Sequence, residues 1–476
     1  MSIRKKRARL TLLGAALVAA AVALNLLLGC LPASVTRLDA TQGSLITPSE
    51  ALEQAADAVT QPVTIYYYAS QGGTDSLLDS LVRRVEERND LIEVRRLLPG
   101  TAGDDIVSRY AADGLPENSL IVVSPLRAYV ISNDSLVVTQ YNQTYYYYYG
   151  QYVVESQDDY ADSMLAFALE YTSREDLPVV YQLTGHGETA LESLAREELA
   201  RRFVALETLD LGRADAVPED ALALILNAPT QDITPEESGK LLSYLKAGGR
   251  LLLTTCYNAA ELPNLADVTA YYGLQALGGL VQDPAPGYHY SDTNGAYNHY
   301  MKPVVQQSEA LSSLAANEGL ALCVAQSHAL TTGTIARDTL TVEPLLKTSE
   351  QAYRKVNLDK LTTLDQEEGD DVGAFTLAAS ASEGDARLVW IASGMVLSDN
   401  SALLSASGNL LLFDEALGWM AGLPEPREEN GVSLILSPLE QTGTAVPVVK
   451  ALLIGLPLCV LLLGLLASRK PRSARR

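Results

Sequence analysis

Hydrophobic residues along this chain follow three rhythms. At the two ends they run almost unbroken. Between the ends, short apolar clusters typical of strands take turns with positions spaced three and four apart. The front run extends from about Leu10 to Leu31 and the back run from about Ala451 to Ala467. A helix of about 20 apolar residues crosses a bilayer core, so membrane helices are expected at 10–31 and 446–468. The second is the weaker of the two, because Lys450 and Pro457 interrupt it. A lysine at the edge of a span can extend its ammonium to the headgroups, and proline is tolerated in membrane helices.

The interior reads as alternating strand and helix. Val63–Tyr68 is β-branched and aromatic, hence a strand. Asp75 is placed to cap a helix whose apolar face is Leu77, Leu78, Leu81, Val82 and Val85. Leu91–Leu97 and Leu120–Ser124 return as strands. Ala128–Ile131 and Leu136–Thr139, split by Ser132-Asn133-Asp134, predict a hairpin. These elements form a first α/β domain at 50–150. Tyr145–Tyr149, as a strand, would carry rings on both faces. It reads either as a plain edge strand or as a surface for carbohydrate or a partner. A helix from Asp158 to Tyr171 leads to a second domain at 175–425.

That second domain opens with a strand at Val179–Leu183. Thr189-Ala190-Leu191-Glu192 has capping-box spacing, with Leu191, Leu194, Leu199 and Phe203 following on one face. Ala221–Leu226 is a buried-type strand. Thr234-Pro235-Glu236-Glu237 combines an N-cap, a proline at the first helical position and a box glutamate. The helix so started ends at Gly248-Gly249, before a strand at Arg250–Thr255. Strands joined by single helices predict an α/β fold with parallel sheets covered on both faces. Residues 270–300 read as loop, Asp365–Asp371 as a solvated acidic loop, Arg387–Ala392 as a strand and Gly408–Met420 as a helix.

Charge adds orientation. Arg4, Lys5, Lys6, Arg7 and Arg9 precede the first apolar run, and Arg469, Lys470, Arg472, Arg475 and Arg476 follow the second. Basic flanks remain on the cytoplasmic side. The expectation is a plasma-membrane protein with cytoplasmic tails at 1–9 and 469–476 and a large extracytoplasmic domain. All 58 acidic residues lie between the apolar runs, so the middle is more acidic than the overall charge of −23. Such a surface excludes nucleic acid as a partner. The four cysteines make no disulfide framework: Cys30 and Cys459 lie in or beside the runs, leaving Cys256 and Cys323. Leu27-Leu28-Gly29-Cys30 also admits a second reading of the front end, a lipid-modified Cys30 after cleavage, although the apolar run is long for a signal peptide.

Chemistry-bearing residues are few. Ligand sites on open α/β sheets form beyond the carboxyl ends of strands. Thr184-Gly185-His186-Gly187-Glu188 occupies such a place. Its glycines can adopt positive φ and let a ligand approach the backbone, and His186 with Glu188 suits a proton-transfer pair or two metal ligands, although no second ligand set is visible. An equally good reading makes this a structural turn. Cys256 follows a strand but lacks the small flanking residues of a nucleophile elbow. His289 and His299 sit in a Tyr-rich loop that offers either a polar pocket, with His299 as a candidate binding residue, or an ordinary surface. Asp385 and Asp399 show no recognisable pairing. Gly239-Lys240-Leu241 is not a phosphate loop, since the upstream glycine and the Ser/Thr are missing. No metal or other cofactor is called for.

The stretch Val179–Glu188 resembles the strand and turn of the GldG-type family of ABC-transporter auxiliary proteins. Thr234–Thr255, Val342–Ser349 and the segment from Arg387 through Asn409 to Trp419 are similar to further parts of that family, in the same order. The resemblance implies a non-ATPase subunit working with a separate ABC permease and ABC ATPase, anchored in membrane lipid. It also implies an amidotransferase-like core, shared with intraflagellar-transport proteins and generally lacking the amidotransferase catalytic set. It makes residues 184–188 a candidate ligand or partner site. Where the family often has acidic residues after its last strand, this chain has Ala392-Ser393-Gly394-Met395.

Overall fold

The computed structural model describes residues 45–434, except position 46 and short stretches at 112–113, 258–260, 292–298, 318, 334–336, 359–360 and 428–429. The apolar runs expected at 10–31 and 446–468, the basic tails, Cys30 and Cys459 lie outside the described residues. Among the described residues, no helix is long and apolar enough to cross a membrane. The chain divides into two compact units, one formed by residues up to Ser173 together with those from Glu429 on, the other by Arg174–Glu428.

The first unit begins with α1 (Glu50–Asp57), capped by the Ser49 hydroxyl. Strands β1 (Val63–Tyr68) and β2 (Ile92–Leu97) pair in parallel, joined by α2 (Ser76–Arg88). The Asp75 carboxylate accepts from the N–H groups of Leu77 and Leu78, as its spacing predicts. After α3 (Gly103–Tyr110), β3 (Ser119–Val123) pairs antiparallel to β1, and β4 (Ala128–Ile131) antiparallel to β3. The sheet order is β2-β1-β3-β4.

The expected hairpin across residues 132–134 is corrected. Asn133–Leu136 is one short helical turn, α4, which redirects the chain. β5 (Val137–Tyr141) then pairs with β6 (Val154–Asp159) in a separate small sheet completed by β20 (Val432–Ser433). The tyrosine run is also not a strand. It forms α5 (Gln143–Tyr149), because the Asn142 side chain caps its start and Gly150 ends it at φ +64. β6 occupies part of the stretch read as helix, and α6 runs from Ala161 to Ser173. It buries residues nearly all round, including Leu165, Phe167 and Leu169, and packs against α1.

The second unit is built on one large mixed sheet. Its main path, in order across the sheet, is β11 (Leu274–Leu277), β14 (Ala329–Thr332), β18 (Thr376–Glu383), β19 (Ala386–Ile391), β10 (Arg250–Thr254), β9 (Ala221–Asn227), β7 (Val179–Leu183) and β8 (Ala205–Leu209). β7, β8, β9, β10 and β19 run parallel. Beyond β19, the strands β18, β14, β11 and β15 (Leu340–Lys347) pair antiparallel. The expectation of parallel sheets therefore becomes mixed α/β with a parallel half. A smaller sheet joins β12 (Leu280–Gln282), β16 (Tyr353–Lys355) and β17 (Asp371–Val372). Residues 270–300 thus contain strands as well as loop. The remaining pieces are β13 (Val304–Val305), paired with β15, and α10 (Ser312–Ala316).

Side chains alternate across the parallel strands. Val180, Ile225, Leu252 and Val389 form one core with Leu199 of α7 (Ser193–Arg201) and with Leu412, Phe413 and Leu417 of α12 (Gly408–Ala421). The opposite face carries α8 (Pro235–Lys246), packed against α9 (Pro263–Tyr271). Leu252 is fully buried, so truncating it to alanine costs about 3 kcal/mol. The expected capping box at Thr189–Glu192 does not form. α7 starts at Ser193, and its cap is Asp399, which begins α11 (Asp399–Leu404) and accepts from Ser193 Oγ and Leu194 N. Glu192 in turn accepts from the Asp399 N–H.

The acidic loop at Asp365–Asp371 is solvent-exposed along most of its length, as expected, and is anchored by one buried cation. Lys355, 1 % exposed, inserts its ammonium among the Asp365 carbonyl (2.6 Å), Glu367 (2.7 Å) and Asp370 (3.4 Å). Lys355 and those carboxylates tie the loop to β16. A second clamp holds the Leu345–Ser349 segment: buried Asp283 accepts from the Ser349 N–H and hydroxyl at 2.7 and 2.8 Å.

Candidate functional site

Strand order marks the place to look. β7 lies between β8 and β9: the chain passes from β7 to β8 on one side and then crosses back over β7 to β9 on the other, which reverses the strand order there. Crevices form at such switch points, outside the carboxyl ends of the strands. The turn Thr184–Glu188 sits there. Thr184 N still bonds Leu209 O at 3.0 Å, extending the β7–β8 pairing. The backbone then turns through Gly185 at φ +121 and Gly187 at φ +70. The positive φ at Gly187 favours glycine, and a Cβ there would also force the Thr230 hydroxyl, 2.1 Å away, to rotate. The His186 carbonyl accepts from Thr230 N (3.0 Å) and Gln231 N (2.9 Å), which joins this turn to the one after β9.

Within the turn the side chains close on one another. The His186 N–H donates to Glu188 Oε2 at 2.7 Å, and its ring Nδ1 lies 3.1 Å from Glu188 Oε1. On the other side, ring Nε2 lies 3.1 Å from Glu237 Oε2. Glu237 belongs to the first turn of α8, where the predicted capping box is present. Its Oε2 also accepts from Thr234 N and Thr234 Oγ1, each at 2.7 Å. The His186, Glu188 and Glu237 side chains are 11, 3 and 4 % exposed.

A ring nitrogen facing a carboxylate acts as a donor, and an imidazole donates from both nitrogens only as the cation. Burial works against that cation, but the bonds to Glu188 and the charge of Glu237 outweigh it and raise the His186 pKa. Burial likewise pushes Glu237 upward, while the Thr234 N–H and hydroxyl and the His186 cation more than offset it and leave Glu237 below its ordinary range. The arrangement is Glu–His–Glu with every ring donor taken. Through His186 and Glu237 the turn after β7 is fastened to the start of α8. Glu188 is not at the start of a helix, since α7 begins at Ser193.

A second polar network lies at the ends of β9 and β10. Asn227 donates to Thr189 O at 2.9 Å and accepts from Thr254 Oγ1 at 2.6 Å. Gln182 donates to the same Thr189 carbonyl and accepts from Leu191 N. Beside them, Trp390 Nε1 donates to Thr255 Oγ1 at 2.7 Å, and that hydroxyl meets His328 Nε2 at 2.7 Å. His328 Nδ1 meets Ala329 O at 2.9 Å. The carbonyl takes a proton from Nδ1, so Nε2 is left to accept from Thr255 and the ring is neutral. Burial drives its pKa down to about 4, with the Ala329 carbonyl partly opposing. The sequence reading passed over His328, which has no charged neighbour in sequence and no motif around it.

Cys256 follows β10, with its Sγ 4.0 Å from Gln326 Oε1. Burial raises its thiol pKa, and the Gly394 N–H lowers it only partly, so the thiol stays protonated. Cys256 and Cys323 are both free. His289 bonds the Ala285 carbonyl through Nδ1 at 3.1 Å. The His299 ring lies against Tyr300, centroids 4.4 Å apart, and no hydrogen bond joins it to the turn at 184–188. The structure thus gathers Thr184, Gly185, His186, Gly187 and Glu188 and adds Glu237, which the sequence marked only as a cap. Among the described residues, no group of three His, Cys, Asp or Glu is placed to hold a metal ion.

No family model and no curated protein matches this sequence. Solved structures give distant likenesses. The N-terminal domain of mmIFT52 is 16 % identical at a TM-score of 0.38, covering 51 % of this chain and 96 % of that one. A thua-like protein from Parabacteroides merdae is 11 % identical at a TM-score of 0.33, covering 53 % of this chain and 93 % of its own. PurLQS from Thermotoga maritima is 12 % identical at 0.28, covering 51 % and 99 %. At such scores none of them bears on what this chain does.

Proposed function

We propose that this chain is a membrane-anchored, non-ATPase auxiliary subunit of an ABC-type transport system, with an amidotransferase-like second unit that serves as an extracytoplasmic binding scaffold. The observation that carries this reading is the pair of apolar runs with basic flanks at 10–31 and 446–468. The Glu188–His186–Glu237 hydrogen bonds, with both ring nitrogens of His186 paired with carboxylates at 3.1 Å, accord with a binding role for the second unit. A protonated, partly buried Cys256 points the same way, since the thiolate is the nucleophile. The two apolar runs with basic flanks support anchoring at both ends, and the ordered resemblance to the GldG-type family supports separate permease and ATPase partners. The test is isolation of the full chain from native membranes in mild detergent. Copurification of an ABC permease and an ABC ATPase is the expected result. Isolation of the chain alone, or substrate turnover that disappears with His186→Gln while folding is retained, would overturn the proposal.

A further inference from the structure

The sharpest surface feature outside the switch point is the tip of the β5–β6 hairpin. Residues 141–154 contain seven tyrosines and no Asp, Glu, Lys or Arg, in a chain whose net charge is −23. Tyr146 stacks on Tyr152 at 4.4 Å, and Tyr141 meets Tyr152 edge-on at 5.5 Å. Tyr145 and Tyr149 lie 4.6 Å apart. The cluster nonetheless faces outward: Tyr148, Tyr149 and Tyr152 are 71, 67 and 67 % exposed, and Val153 and Val154 beside them are also exposed. Single exposed apolar side chains are ordinary, but a contiguous group marks a contact surface.

The course of the chain indicates what it contacts. β20 runs antiparallel to β6, pairing Val432 with Asp159 and Ser433 with Asp158, and Leu434 N donates to Gln157 O. At its last described residue the chain is therefore heading along β6 toward Val154, the tyrosine end of the hairpin. Sixteen residues separate Leu434 from the apolar run that begins near Ala451, a reach of at most about 55 Å when extended. Tyrosine rings favour the boundary between hydrocarbon and water. An acidic surface is repelled by anionic headgroups, whereas this uncharged tip is not.

We propose that the tyrosine tip of the β5–β6 hairpin rests in the headgroup region of the same bilayer that holds the apolar ends of the chain. The inference rests on the membrane-anchored reading above, and its test separates the two. The full chain carrying Tyr148→Trp is reconstituted in phosphatidylcholine vesicles, with and without bromine placed on the acyl chain next to the headgroup. Trp390 and Trp419, the only native tryptophans, supply the background from the unmodified chain. Loss of most of the added emission in brominated vesicles is expected, and Tyr149→Trp should behave alike. Tyr148 and Tyr149 are 71 and 67 % exposed, and tryptophan keeps an aromatic ring at each position. A chain washed off the vesicles by alkaline carbonate overturns both readings. A carbonate-resistant chain whose added tryptophan is unquenched overturns only the tip's placement. Disulfide linkage of two Tyr148→Cys chains, or an emission change caused by a chito-oligosaccharide instead of lipid bromine, would also overturn it by assigning the face to a second copy or to carbohydrate.

Discussion

Replacing His186 with alanine tests the fastening at the switch point. The substitution removes the cation between Glu188 and Glu237 and leaves two nearly buried carboxylates facing each other. Removing one member of a buried charge pair costs about 3–5 kcal/mol. Here Glu237 keeps the Thr234 N–H and hydroxyl, and Glu188 keeps the His186 N–H, which places the loss at the low end, about 3 kcal/mol. The pH dependence identifies the cause. The folded-state pKa of His186 is raised above its ordinary 6.5. Its contribution is therefore complete below 6.5 and is lost as pH rises through the raised value. Trp390 and Trp419 both lie in the Arg174–Glu428 unit, so tryptophan fluorescence during urea unfolding reads that unit. The parent protein should lose stability as pH rises above 6.5, and His186→Ala should start lower and lose less. A loss under about 1 kcal/mol at pH 6 with an unchanged alkaline slope would refute the reasoning.

Three further outcomes follow from the same geometry. His328 is held neutral, with its pKa pushed down to about 4; its contribution is complete above 6.5 and is lost as pH falls toward 4, so imidazole NMR should show one histidine still neutral at about pH 5. Lys355→Met should cost about 3 kcal/mol, because Asp370 is left buried without its cation, and should make the 361–371 loop an early site of limited proteolysis. The Cys256 thiol, raised by burial, should alkylate at pH 8 more slowly than a free thiol, and Cys256→Ala should leave stability and partner binding in place.

Several elements were legible because their signals are local. β1, β7, β9 and β10 are apolar runs bounded by turn residues, and α2 and α8 announce themselves through Asp75 and the Thr234–Glu237 box. The missed elements depend on distant or weak signals. β18 reads Thr-Leu-Ala-Ala-Ser-Ala-Ser-Glu, small residues with little strand preference, and it is held by pairing with β19 and β15. α7 takes its cap from Asp399, about two hundred residues away in sequence, so no local box could have set its start. The tyrosine run satisfied strand propensity, yet Asn142 and Gly150 supplied the two ends of a helix. At the site, the turn and its glycines were legible. The part played by Glu237 was not, because it comes from the fold bringing α8 against β7, 51 residues apart in sequence.

Anchoring at both ends, with basic tails inside, places the acidic units outside the cell. Protease added to intact cells, with fragments identified by mass spectrometry, addresses this directly. The account predicts cuts between residues 45 and 434, with the Arg- and Lys-bearing tails protected until the cells are opened. A middle segment that survives intact cells and is instead reached by a cytosolic label would contradict it.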